Sequence, residues 1–185
     1  NVNIQAANTI TLNTPTSVVS VKTVTVNGIL TTGTNVISGA GAVLIDSSSA
    51  IARINGAQTY TGNTTIQNGE LWIESNSGSI VSTNAVGVGA IGAANVTKLW
   101  LTNATGGTTF ANNITVVAGN SDTRVVGGLN TSGTNTFSGN INDLSSNFNL
   151  YAAGSGINEF TGNIDTNGNP IIVNQEGVNI GTGTE

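Results

Sequence analysis

A nine-residue pattern returns four times along the chain and constrains its fold more than any other feature. It reads GAQTYTGNT at 56–64, GGTTFANNI at 106–114, GTNTFSGNI at 133–141 and GINEFTGNI at 156–164. A degenerate copy starts at Gly33 and puts Ile37 in the aromatic slot, ahead of Ser38 and Gly39. The slot residues Ile37, Tyr60, Phe110, Phe137 and Phe160 are 23, 50, 27 and 23 residues apart. Taking 50 as a double step gives a period of roughly 25 residues, the length range of one coil of a repeat architecture. The copy due near residue 85 is not recognisable in the sequence.

The residues between the repeats specify strands. Short runs alternate apolar and polar positions: Val24 and Val26, Leu71 and Ile73, Leu99 and Leu101, Val178 and Ile180. Thr and Val dominate these runs, and period two is the signature of a pleated strand. No window keeps apolar residues at helical spacing for three turns. Asn-Gly pairs at 27–28, 55–56, 68–69 and 167–168 mark turns. The expected fold is all-β, a right-handed parallel β-helix (solenoid) with coils of about 25 residues. A β-sandwich or jelly roll is the alternative, since regular short strands suit it as well. The solenoid would stack Tyr60, Phe110, Phe137 and Phe160 into a broken inward aromatic column. It would also place Asn63, Asn113, Asn140 and Asn163 in a ladder whose amides bond along the stack. The whole chain, 1–185, is expected to form one β domain. Within it, 1–30 holds less regular or polymerising strands, 31–173 the repeats, and 174–185 a last strand and tail.

Composition removes most chemistry. Asn, Thr, Gly and Ser supply 97 of 185 residues, and charged residues only 7%, against roughly 25% in ordinary soluble domains. Lys22, Arg53, Lys98 and Arg124 are the only cations, too few and too scattered for a nucleic-acid surface. With no Cys and no His, common zinc sites, thiol chemistry and an imidazole base are excluded. The weakly apolar stretch 85–96 contains Gly87, Gly89 and Gly92 and is too short to span a bilayer as a helix. The first residue is not Met, as in a processed or excised chain whose signal has been removed.

Candidate sites are few. Glycosidases need two carboxylates across a sugar, for which Asp143 with Asp165, or Glu70 with Glu74, are the available pairs. Arg124, in Ser-Asp-Thr-Arg, is the one cation with an acid close by in sequence. All of these read more simply as solvated charges on an outer face, so no enzymatic activity is expected. Asp165, Asn167, Asn169 and Glu176 match positions 1, 3, 5 and 12 of a calcium loop, but Pro170 stands where that loop needs Gly. The same residues read as a plain Asn-Gly turn; calcium is the only cofactor candidate. Glycosylation sequons begin at Asn63, Asn95, Asn103, Asn113 and Asn130, and a glycan conflicts with the ladder at Asn63 and Asn113. Trp72, Trp100 and Tyr151 could bind sugar, although their alternating strands suggest packing.

The segment 55–73, NGAQTYTGNTTIQNGELWI, resembles the passenger-associated repeat of autotransporter surface proteins. The stretch 157–173 is similar to repeats in rickettsial-type surface antigens. The resemblance implies a right-handed β-helical passenger exported through an outer-membrane barrel, with adhesive or structural roles. A typical translocator barrel does not fit within 185 residues beside the coils, which implies a fragment, a cleaved passenger or a stand-alone secreted relative. The expected role is a structural or adhesive protein of the bacterial cell surface or extracellular matrix. Its expected partners are neighbouring repeats, further copies of itself, and a host or cell-surface glycan or protein. Two alternatives are a filament subunit joined by end-to-end stacking or strand donation, and a polysaccharide-binding or polysaccharide-active solenoid.

Overall fold

Alternating Thr/Val strands joined by Gly- and Asn-rich corners wind into a parallel β-solenoid. The structure, a computed structural model, describes residues 23–74, 86–88, 96–118, 123–145 and 147–174. It also describes the backbone of strands Val2–Ile4, Thr9–Thr11, Thr16–Ser17 and Val178–Ile180. Every strand pairing is parallel, and each joins one coil to the next. Among the described residues there is no helix long and apolar enough to cross a membrane.

Three faces repeat. The first stacks Val2–Ile4, Thr23–Val26, the start of Ala42–Ile54, the start of Thr64–Ile73, Val86–Val88, Ile114–Val116, Ile141–Asp143 and Ile164–Asp165. The second stacks Thr9–Thr11, Ile29–Thr31, the ends of the same two long strands, Thr97–Leu101, Arg124–Gly128, Phe148–Ala152 and Ile171–Asn174. The third runs as two short sheets. One joins Thr16–Ser17, Ile37–Gly39 and Thr59–Tyr60. The other joins Thr109–Phe110, Thr134–Phe137, Ile157–Phe160 and Val178–Ile180. Val86 pairs with both Thr64 and Ile114, so the coil whose repeat is unreadable in sequence is nonetheless present.

Because side chains alternate across a strand, fixed register turns each inward position into a row along the axis. On the second face Leu30, Ala52, Leu71, Leu99, Val126, Leu150 and Val173 stand level by level. Leu150 is fully buried, whereas Val173, with no described coil stacked beyond it on this face, is 49% exposed. The row is thus dried by the coils above and below, not by its own coil. On the third face Phe110, Phe137 and Phe160 are in register and buried. Phe137 stacks on Phe160 at 4.7 Å between ring centroids and meets Phe110 at 6.2 Å. Tyr60 is buried too, its hydroxyl hydrogen-bonded to Thr64 Oγ1 at 2.6 Å. Burial pushes its phenol far above the usual range, so it stays protonated.

The degenerate repeat needs one correction. Tyr60 stands opposite Gly39, not Ile37. Ile37 lies two positions earlier on the same inward face, where its N–H donates to Gln58 Oε1 at 2.7 Å. The repeat pattern matches apolar Ile37 with Tyr60, while the backbone register pairs Tyr60 with a glycine.

Phe137 has aromatic neighbours on both sides, so Phe137→Ala should cost about 3–5 kcal/mol in urea unfolding. Asn140→Ala, on the exposed outer corner, should cost about 1 kcal/mol. Similar losses for the two variants would contradict the inward aromatic column.

Candidate functional site

Glycine sets the orientation of the strand that begins the site. Gly69, at φ +94°, bends Thr64–Ile73 from the first face to the second. A Cβ there would lie 2.4 Å from the Ala50 carbonyl oxygen, so no other residue fits this corner. Beyond it Leu71 and Ile73 point inward and are buried, which by alternation turns Glu70 and Trp72 outward. The same logic turns out Arg53, Lys98, Trp100, Gly127 and Tyr151. Register then assembles one outer row: Thr31, Arg53, Trp72, Trp100, Gly127, Tyr151 and Asn174.

The members of this row hold one another. The Arg53 guanidinium lies 4.6 Å from the centre of the Trp72 ring and pairs with Glu74 at 3.2 Å. Glu70 accepts the Trp72 indole N–H at 2.6 Å and the Lys98 ammonium at 2.7 Å. Trp100 meets Tyr151 edge to face, with 5.8 Å between ring centroids. Gly127 lies between them in register and makes this possible. A Cβ there would fall 1.9 Å from the Tyr151 carbonyl oxygen and 3.2 Å from the Trp100 ring. Trp72 and Tyr151 are partly exposed, whereas Trp100 is only 7% exposed. The packing suggested for these aromatics thus applies most to Trp100.

The proposed acid pair does not form. Asp143 pairs with Val116, while Asp165 pairs with Asn142. That one-residue offset puts Asp143 inside and Asp165 outside. Glu70 and Glu74 are engaged by Lys98 and Arg53. Reading Asp143 and Arg124 as solvated surface charges is also corrected, because both are fully buried. Arg124 occupies the inward row between Thr97 and Phe148.

Asp165 is exposed, and its Oδ1 accepts the Asn167 N–H at 3.0 Å. The Asn167 amide donates to Asn142 Oδ1 at 2.7 Å and to the Asp143 carbonyl, to which the Asn169 amide also donates. Asn167 and Gly168 both have positive φ, and the Asn169 N–H bonds back to the Thr166 carbonyl at 2.8 Å. This is the tight turn that Asn-Gly favours. The amide nitrogens therefore serve the corner, and Glu176 lies outside the described residues. Among the described residues no group of three or more His, Cys, Asp or Glu could hold a metal.

Asn63, Asn113, Asn140 and Asn163 stand exposed at an outer corner. Asn113 Oδ1 accepts the Asn140 N–H, and Asn140 Oδ1 the Asn163 N–H, both at 3.0 Å. The bonds along the stack run from backbone to side chain, not from amide to amide, and leave the outward side open. The ladder therefore does not exclude a glycan at Asn63 or Asn113. Asn130 does exclude one: it is fully buried, and its amide donates to the carbonyls of Ser132, Gly133 and Ile157. Asn103 is partly exposed, and Asn95 lies outside the described residues.

A second, buried polar row went unread in the sequence. Gln58, Thr108, Asn135 and Asn158 line the interior two residues before Tyr60, Phe110, Phe137 and Phe160. Gln58 donates to the Asn35 and Gly56 carbonyls, and Asn135 Oδ1 accepts the Thr108 N–H. Its signal was the period-two spacing from each aromatic. Comparison with protein families, curated proteins and solved structures gives no match, so any function must be argued from these residues.

Asp143 gives a pH test. It ends an inward row of Val26, Ile45, Ile66, Val88 and Val116. Its Oδ1 accepts the Ser145 N–H at 2.9 Å, and its Oδ2 has no partner. Burial raises its pKa, and the Ser145 hydrogen bond offsets this only in part. The folded state then holds this proton more tightly than the unfolded state. The resulting stability is full below the unfolded value of 3.8 and is lost as pH rises through the folded value. Asp143→Asn should therefore raise the melting temperature at neutral pH, with the gain shrinking in acid. A gain independent of pH would show that the carboxylate is not desolvated.

Proposed function

We propose that this chain is a non-enzymatic structural and adhesive rod of the bacterial cell surface or extracellular matrix. The observation that carries this reading is the unbroken in-register stack of the second face, from Thr9–Thr11 to Ile171–Asn174. Such stacking makes length out of short coils and presents the same outer rows along the axis. The outer corner at Asn63, Asn113, Asn140 and Asn163 is small and polar, which suits exposure to water. With acidic over basic residues by nine to four and a net charge of −5, the rod resists unspecific aggregation.

Protease shaving of intact source cells, followed by antibody detection of the chain, tests this reading. The chain should be lost from intact cells while cytoplasmic markers persist. Full protection in intact cells would contradict it, and release of reducing ends from a polysaccharide panel would contradict its non-enzymatic part.

A further inference from the structure

We propose that the outer row through Trp72, Trp100 and Tyr151 is a docking surface for a neutral glycan chain lying along the solenoid axis. This deepens the adhesive part of the preceding reading and rests on it for its biological setting.

The row is the one outer place where this chain gathers aromatic side chains. Phe110, Phe137, Phe148, Phe160 and Tyr60 are buried in the core, whereas both of the chain's tryptophans and its other tyrosine stand in this row. Packing accounts for Trp100, which is 7% exposed, but it leaves Trp72 and Tyr151 partly in water. An exposed ion pair and an edge-to-face aromatic contact each add only a little to stability. Leaving part of an indole in water at Trp72 forgoes burial of comparable size.

The surface is held in position before any ligand arrives. Glu70 fixes the Trp72 indole through its N–H, Arg53 lies over the ring, and Tyr151 braces Trp100. Rings held in this way lose little conformational freedom on binding. Adjacent coils place Trp72 and Trp100 one strand spacing apart, about 4.8 Å, close to the length of one pyranose unit. Tyr151 follows two levels further on, past Gly127. A sugar chain along the axis can therefore rest against Trp72 and Tyr151, the two partly exposed rings, with Trp100, 7% exposed, as the packed floor between them.

Charge selects the class of glycan. Arg53 and Lys98 are matched by Glu74 and Glu70 in two ion pairs, so the patch is neutral although the chain carries −5. An anionic polymer would meet a net negative rod, and a cationic one would find both carboxylates already engaged. Hydroxyl groups, which donate and accept, match the mixed donors and acceptors on either side of the rings.

The test is NMR titration of the intact chain with neutral hexasaccharides of glucose, N-acetylglucosamine, mannose and xylose, reading the two indole N–H signals. At least one hexasaccharide should shift both signals saturably, and Trp72→Ala and Tyr151→Ala should each weaken binding by about tenfold. Circular dichroism confirms that each variant is folded, and the wild-type titration stands without them. The proposal is overturned if no neutral hexasaccharide shifts either signal. It is overturned equally if folded Trp72→Ala binds as wild type, or if an anionic oligosaccharide binds more tightly. A chain shaved from intact cells but inert in this titration would refute glycan docking and leave the surface rod standing.

Discussion

Parallel backbone hydrogen bonding between successive coils is the constraint on which the rest depends. It fixes neighbouring strands about 4.8 Å apart, and so decides that whatever one coil presents at a position, the next presents almost in contact. Like charges in one row would repel at that distance, which gives the sparse charge of the sequence a physical reason. Where cations do occur on the outer face, Lys98 stands level with Glu70, and Arg53 reaches Glu74. Glycine follows from the same closeness. At Gly139 and Gly162 a Cβ would lie 2.0 Å and 2.1 Å from carbonyl oxygens of the preceding coil.

Inside, stacking rewards shape and polar pairing together. Aromatics and β-branched residues fill most rows, yet one row is made of Gln58, Thr108, Asn135 and Asn158. Gln58 and Asn135 bond to backbone of the preceding coil, which satisfies corner groups that no strand pairing reaches. Asp143 is a costly exception, a carboxylate in a row whose other paired levels hold Val or Ile. Its raised pKa follows from that setting.

The repeat made the fold legible because Phe110, Phe137 and Phe160 each sit at the same offset from a Gly-Asn or Asn-Asn corner. Coil length limited what else could be read. The register offset is 28 residues from Val86 to Ile114, 27 from Ile114 to Ile141 and 23 from Ile141 to Ile164. A fixed period cannot carry register through such variation, and an error of one residue changes face, as it did for Asp143 and Asp165. Trp72, Trp100 and Tyr151 are recognisable in the sequence as surface candidates, but their alignment into one row is not, for the same reason. Trp72 and Trp100 are 28 residues apart and Tyr151 is 51 further on, so only the register of intervening strands brings them into line. The family resemblance pointed to a β-helix and to a surface role; the strand pairing supports the first on its own, and the second remains a proposal drawn from stacking and surface chemistry.

Because the chain has no Cys, disulfide mapping tests the in-register stack most directly. Thr115 and Asn142 are partners on adjacent coils, and Asn142 in turn pairs with Asp165 on the next. Thr115→Cys with Asn142→Cys should oxidise readily to an intramolecular disulfide, since neighbouring strands fall within bridging distance. Thr115→Cys with Asp165→Cys, two strand spacings apart at about 9.6 Å, should not. Bridging of the second pair but not the first would contradict the stacking, and with it the outer row that stacking assembles.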